Sequence, residues 1–250
     1  MSKKQEQLIF EFIQEKQFAK VENIASALNV STSTVRRKLS ALQEKGLVIR
    51  THGGVQLNDT NNYFPSFTFR SHKNSLEKKK MALAAIKLIK NGDLIFLDGS
   101  TSAFYIAEYL KEFNDIRVVT NGIDTLSLLS KNNVTAYSTG GKISPTNRSV
   151  LVGEQTANAF NNYRADIAFL STSSITKDGG VFDCFEEEVS SRRSLIKNAS
   201  KVVLLCDSTK FGGSGQYKIC DVDDVDFIIS DSDKKDYFDN EISAEFICEK

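Results

Sequence analysis

Along residues 1–57, apolar residues recur at helical period against polar faces. Leu8, Ile9, Phe12 and Ile13 share one stripe, with Gln and Glu elsewhere, which predicts a first helix. A second, short helix fits Val21 to Leu28, with Ile24, Ala25 and Leu28 apolar. Asn29-Val30-Ser31 is a tight connection, and Ser31 is suited to N-cap a third helix running to about Lys45. Gly46 follows where a helix C′ residue favours positive φ. Leu47, Val48 and Ile49 read as a strand. Arg50-Thr51-His52-Gly53-Gly54 turns the chain, and Val55-Gln56-Leu57 returns as a second strand.

The pattern then changes. Residues 58–66, NDTNNYFPS, are polar and contain one of only two prolines, which marks a boundary. SHKNSLEKKK opens a helix expected to run through MALAAIKLIK to Asn91-Gly92, with Met81, Leu83, Ala85, Leu88 and Ile89 suited to packing on a sheet. Short apolar runs follow at 94–97, 116–120, 134–137, 167–170, 202–206 and 227–229. Helical patterns near 102–111, 123–130, 154–162 and 186–198 separate them. This alternation predicts a Rossmann-like α/β domain, a mostly parallel sheet flanked by helices, behind a small helical head. The expected domains are a head over 1–57, a linker over 58–72 and a larger domain over 73–250.

Composition narrows the class. The chain has 250 residues, with 32 basic and 32 acidic side chains and 40% hydrophobic residues, values of an ordinary globular protein rather than a disordered one. No apolar run approaches the roughly 18 residues of a spanning helix, and the charged start MSKKQEQ lacks the pattern of a secretory leader. Cys184, Cys206, Cys220 and Cys248 form no CxxC pair. Neither a disulfide framework nor a zinc site is expected, and a reducing cytoplasm fits. Cys206 and Cys220 read as buried apolar filler. The neutral total hides an asymmetry. Residues 1–57 hold nine basic and five acidic groups, a surplus of +4, and the remainder holds 23 and 27, a surplus of −4. A basic head on an acidic body points to a polyanion partner for the head alone.

Helical spacing sorts the third helix. Val35, Leu39 and Leu42 fall at i, i+4 and i+7 and face the core. Ser33, Arg37 and Ser40 fall opposite, flanked by Thr32 and Arg36. Small hydroxyls and guanidiniums near a helix N-terminus suit a DNA major groove, where Arg pairs with guanine or phosphate and hydroxyls reach either. Arg50 and His52 on the hairpin are in position for the flanking backbone. The candidate DNA-binding set is Ser31, Thr32, Ser33, Thr34, Arg36, Arg37, Lys38, Ser40, Arg50 and His52. The stretch VENIASALNVSTSTVRRKLSALQEKGLVIRTHGGV resembles the winged helix-turn-helix of the DeoR family of bacterial sugar-metabolism regulators, above all in TVRRKL followed by HGGV. Lys38 departs from the family, which usually has an acidic residue there, and adds positive charge to the helix.

In open α/β sheets ligands bind beyond the carboxyl ends of strands. Strand 94–97 ends in Asp98-Gly99-Ser100-Thr101-Ser102, where amides and hydroxyls at a helix N-terminus suit a phosphate or carboxylate. There is neither a GxxxxGK[ST] nor a GxGxxG nucleotide loop. Thr120-Asn121-Gly122, Ser138 to Lys142 and Cys206 to Phe211 end other strands in the same style. DGST, VVTNGI, TGGK, SVLVGEQTANAF, ADIAFLSTSS and LLCDSTKFG resemble the DeoR effector domain in order, over about residues 65–230. That domain is akin to ribose-5-phosphate isomerase in fold and typically senses phosphorylated sugars. The resemblance implies that Asp98, Gly99, Ser100 and Thr101 line the pocket with Thr120 and Asn121. It implies that Gly141 and Lys210 complete the pocket, and that Lys78 matches a family lysine reaching the phosphate. Ser102 joins them as a helix-start hydroxyl.

The kinship to an isomerase makes an isomerase-like enzyme with an accessory head the competing reading. Isomerisation needs a base and groups that hold an enediolate. Glu188 resembles the glutamate that opens the corresponding isomerase helix. However, the acidic cluster such enzymes place after the strand reading IAFL is here Ser171-Thr172-Ser173-Ser174. The proton-shuttling set is thus incomplete, and Glu188 reads as a sugar-hydroxyl acceptor or a helix N-terminal charge. The expectation is a cytoplasmic transcriptional regulator, a repressor, with operator DNA, a phosphorylated sugar and a second copy of itself (dimer or tetramer) as partners. No cofactor, metal or membrane is expected.

Overall fold

The computed structural model describes residues 2–16, 18–51, 54–57 and 67–248. The chain divides into two compact units, residues 1–73 and 74–250.

The first unit contains α1 (Ser2–Lys16), β1 (Phe18–Ala19), α2 (Val21–Ala27), α3 (Thr32–Glu44), β2 (Val48–Thr51), β3 (Gly54–Leu57) and α4 (Phe67–His72). The Ser31 side chain caps α3 by accepting from the Thr34 amide at 3.2 Å. Asn29, between α2 and α3, has φ +50°, and Gly46 ends α3 at φ +69°, so both reversals use the left-handed region. Val35, Leu39 and Leu42 are buried with Ile9, Phe10, Ile13, Ile24, Leu47 and Val55. Two details differ from the sequence reading. Leu8 is 42% exposed and Phe10 is buried in its stead, so the core stripe of α1 runs through Ile9, Phe10 and Ile13. The wing also has a third strand, β1, pairing antiparallel with β3.

The second unit begins with α5 (Ser75–Ala85), β4 (Leu94–Leu97), α6 (Thr101–Ala107), β5 (Arg117–Thr120), α7 (Ile123–Lys131) and β6 (Thr135–Ser138). It continues through β7 (Lys142–Ile143), β8 (Leu151–Val152), α8 (Glu154–Asn161), β9 (Ile167–Ser171), β10 (Ser174–Ile175), β11 (Gly180–Asp183) and α9 (Glu186–Lys197). It ends with β12 (Val202–Leu205), β13 (Tyr217–Asp221), β14 (Phe227–Ser230) and β15 (Glu245–Cys248). Seven strands form one parallel sheet in the order β15-β14-β12-β9-β4-β5-β6. Alternate side chains feed two cores. Ile95, Leu97, Val118, Ile167, Phe169, Val203 and Leu205 pack with residues of α5 and α6 on one face. Phe96, Val119, Ala168, Leu170, Leu204 and Ile228 pack with Phe160 and Leu195 on the other.

The helix expected from SHKNSLEKKK to Asn91-Gly92 is not continuous. It breaks before Asn74, whose φ is +52°, and after Ala85 it tightens into a 3₁₀ turn, Ile86–Leu88. Leu83, expected against the sheet, is 44% exposed, because Met81, Ala82, Ala84 and Ala85 take the inner face of α5. Residues 67–72, expected as linker, form α4. Asp178-Gly179 forms the turn between β10 and β11, and β11 pairs also with β13, making a small antiparallel sheet that the apolar runs did not reveal. Cys206 is fully buried. Cys220 is partly so, its thiol pushed up to about 12 by burial and then by Asp224 and Asp221, as suits filler rather than a nucleophile.

Candidate functional site

In the head, Ser31, Thr32, Ser33, Arg36 and Arg37 are exposed, and Thr34 and Ser40 are half-buried. Arg50 on β2 donates to the Ser40 hydroxyl at 3.3 Å, and that hydroxyl donates to the Arg36 carbonyl at 3.1 Å. The wing is thereby tied to the outward face of α3, and Arg36, Arg37 and Arg50 are its exposed cations. Lys38 is placed otherwise than expected. It is only 7% exposed and its ammonium lies 3.5 Å from Glu6 on α1, which Lys45 also engages. Burial raises the Glu6 carboxyl, but the Lys45 and Lys38 ammoniums outweigh it, and the net shift is downward. The departure at position 38 therefore meets an acid inside the head. His52 and Gly53 lie outside the described residues.

In the second unit, the chain leaves β4, lays β5 and β6 on one side, and returns to lay β9 on the other. The gap between β4 and β9 is the switch point where such sheets bind ligands. Asp98, the residue after β4, bridges it. Its Oδ1 accepts from the Ser100 amide and its Oδ2 from the Ser171 amide at the end of β9, each at 3.0 Å. Ser100 caps α6, its Oγ accepting from the Ala103 amide at 3.1 Å. Thr101 and Ser102 open that helix, so their amides precede its first internal bond.

Four of the expected pocket residues turn out to hold the frame. A Cβ at Gly99 would stand 2.1 Å from Val150 Cγ1, so the close backbone approach needed there is to the protein's own segment before β8. Thr120 is fully buried and accepts from the Gly122 amide at 3.0 Å. Asn121 donates its amide to the Leu151 carbonyl at 3.0 Å. Gly141, at φ +110°, leads into β7, where a Cβ would meet Thr156 Oγ1 at 2.2 Å. Asn74, at the start of α5, donates to Asp207 beyond β12 at 3.2 Å. This fixes the first turn of α5, which carries the buried Lys78, at the strand-end edge. Lys210, half-buried, lies on the 3₁₀ turn Ser208–Lys210 capped by Asp207.

Glu188 sits in the first turn of α9, as the helix N-terminal charge reading expects, and is engaged within the protein. It is 2% exposed. One carboxylate oxygen accepts from Asn147 at 3.0 Å and the other from Arg192 at 3.0 Å. Arg192, which sequence reasoning missed, is the hub. Its guanidinium is paired with Asp183, Glu188 and Asp98, the last at 3.4 Å. Burial pulls it below its usual value, against the opposing pull of Asp98. The i, i+4 spacing of Glu188 and Arg192 was a visible signal. The approach of Asp98 and Asp183 was not. The hydroxyls of Ser171, Thr172 and Ser173 serve the frame too, donating to Leu205 O, Phe182 O and Asp183.

Among the described residues no group of three or more His, Cys, Asp or Glu could hold a metal, and no helix is long and apolar enough to cross a membrane. A basic helix-turn-helix unit on a parallel-sheet unit with a polar switch-point site defines a two-part DNA-binding regulator. The family described as DeoR-like helix-turn-helix domain matches residues 5–61, and that described as DeoR C terminal sensor domain matches residues 73–232. The chain belongs to the DeoR family of transcriptional regulators.

The chain is 35% identical to the HTH-type transcriptional regulator GolR of Listeria innocua, over 85% of this chain and 84% of that one. It is 31% identical to a putative aga operon transcriptional repressor of Escherichia coli O157:H7, over 92% and 86%. It is 28% identical to the glycerol-3-phosphate regulon repressor of Escherichia coli K12, over 90% and 88%. A D-ribose-5-phosphate isomerase in complex with phospho-erythronic acid is similar at 16% identity and a TM-score of 0.41, over 54% of this chain and 52% of that one.

Proposed function

We propose that this protein is a cytoplasmic repressor of a sugar-metabolism operon, controlled by a phosphorylated sugar bound in its second unit. The observation that carries the reading is the Asp98 bridge across the β4–β9 switch point, which fixes a hydroxyl- and amide-rich loop at a helix start. The relatives named for the aga operon and the glycerol-3-phosphate regulon support it. The division of labour is a head over 1–57, a connection over 58–72 that includes α4, and a sensor over 73–250. In the head, the exposed Ser31, Thr32, Ser33, Arg36, Arg37 and Arg50 meet DNA. In the sensor, the loop 99–102, Lys78 and Lys210 take the phosphate.

Two heads on a dimer or tetramer would read two half-sites about 34 Å apart. The pairing raises the effective concentration of the second head. The sugar phosphate shifts occupancy only by its differential affinity for the DNA-competent and incompetent states. The isomerase reading lacks the acidic cluster that would complete its proton-shuttling set, since Ser171-Thr172-Ser173-Ser174 stand there instead. The test is to map the genomic fragments that the purified protein retains and to titrate sugar phosphates against the complex. Fragments near sugar genes and a phosphate-dependent change are expected. Indiscriminate retention, or measurable isomerase turnover, would overturn the reading.

A further inference from the structure

The chain from Gly212 to Gln216 is strung across the open end of the β10–β11 hairpin. The Gly212 amide donates to the Ile175 carbonyl at 3.0 Å on one side, and the Gln216 amide to the Asp183 carbonyl at 2.9 Å on the other. Its glycines lie directly on the hairpin. A Cβ at Gly213 would stand 3.0 Å from the Ser173 carbonyl, and one at Gly215 would stand 2.6 Å from Phe182 Cβ. Between loop and hairpin is a cavity of about 360 Å³, lined by Ser174, Thr176, Phe182, Cys184, Ser214 and Gln216 with the two glycines. That is the size of a small-molecule cleft.

Its place is set by its neighbours. Ser174 and Cys184 directly follow Ser173 and Asp183, which are hydrogen-bonded at 2.8 Å. Asp183 is paired with Arg192, which touches Asp98. On the loop side, the Gly213 amide donates to the Lys210 carbonyl at 3.3 Å. The cavity therefore adjoins both the Asp98 cluster and the Lys210 turn.

Its chemistry is unlike theirs. The lining has no Lys, Arg, Asp or Glu. It has serine and threonine hydroxyls, one thiol, one carboxamide and one aromatic ring. Such walls suit a neutral polyhydroxylated group, which hydrogen-bonds to the polar atoms and lays its C–H face on the ring. A second phosphate or carboxylate would be desolvated there without a counter-ion. We infer that this cavity takes the uncharged, hydroxylated end of the effector and so selects which sugar phosphate is sensed. The inference rests on the phosphate-sensing reading above.

The test is calorimetric titration of the full chain with inorganic phosphate, glycerol 3-phosphate and a set of pentose and hexose phosphates. At least one sugar phosphate is expected to bind about tenfold or more tighter than inorganic phosphate. Ser214→Ala with Gln216→Ala, and separately Gly215→Ala, should remove most of that advantage. Both should leave inorganic phosphate within about twofold and the circular dichroism spectrum unchanged. If the advantage survives both variants, or if inorganic phosphate weakens equally, the cavity is not the sugar subsite. If no phosphate binds at all, inorganic included, the sensing reading fails first and takes this inference with it.

Discussion

Arg192 on α9 and Asp98 at the tip of β4 meet 3.4 Å apart in the interior of the sensor unit, both less than a tenth exposed. Through this contact the loop that opens α6 is locked to β11 and α9, since the same guanidinium holds Asp183 and Glu188. Three carboxylates around one guanidinium tolerate burial because their other lone pairs accept from Ser100, Ser171, Ser173, Cys184 and Asn147.

Arg192→Ala should therefore destabilise the sensor unit by about 3–5 kcal/mol, the range for removing one partner of a buried ion pair. Urea unfolding followed by circular dichroism measures it. A loss below about 1 kcal/mol, the range of exposed pairs, would mean that the cluster is solvated and not structural.

Gly99→Ala should cost about 1–3 kcal/mol through overpacking, because the new Cβ stands 2.1 Å from Val150 Cγ1. Adding Val150→Ala removes that methyl, so the double variant should be less destabilised than the sum of the singles. Strict additivity would show that the loop yields by moving elsewhere.

Arg37→Ala and Lys38→Met should separate binding from folding. Arg37→Ala should weaken specific DNA binding by about 1–3 kcal/mol if it reads a base, with little change in stability. Lys38→Met strands Glu6 opposite Lys45 alone, so it should lower the stability of the head yet leave the salt dependence of DNA binding unchanged. A salt slope shallower by about one in Lys38→Met would put that ammonium on a phosphate instead.

The same Glu6 cluster makes stability depend on pH in a defined direction. The folded-state pKa of Glu6 lies below its ordinary 4.5. Its contribution is thus fully present above about 4.5 and is lost as the pH falls through the lowered folded value. Glu6→Gln should remove that contribution, lowering the stability of the head by a constant amount above roughly pH 6 and flattening the profile in the acid window. A profile identical to the parent in acid would show that the pairing contributes nothing.

Ser100→Ala with Lys210→Ala should abolish the response to sugar phosphate while DNA retention persists. Losing the α6 cap alone should cost about 1 kcal/mol, so the double variant stays folded. An undiminished response would move the phosphate elsewhere.

Local order in the chain was enough to determine the three helices of the head and six strands of the parallel sheet, though not β1, α4 or the sheet of β10, β11 and β13. The Ser31 cap, the Val35-Leu39-Leu42 stripe and the strand–loop–helix run through Asp98 to Ser102 depend on neighbours within a turn or two. Propensity, periodicity and capping act over that range. The exposed Ser-Thr-Arg face of α3 was legible for the same reason. Only the tertiary structure decided how groups far apart in sequence compensate one another. Burial of Lys38 depends on Glu6 one helix away, and the glycine at 99 on Val150. Glu188 is held by Asn147 and Arg192, and the cavity beside β10 lies where a glycine loop crosses the hairpin. These are pairwise contacts at close range in low dielectric, whose energies are set by placement rather than by residue type.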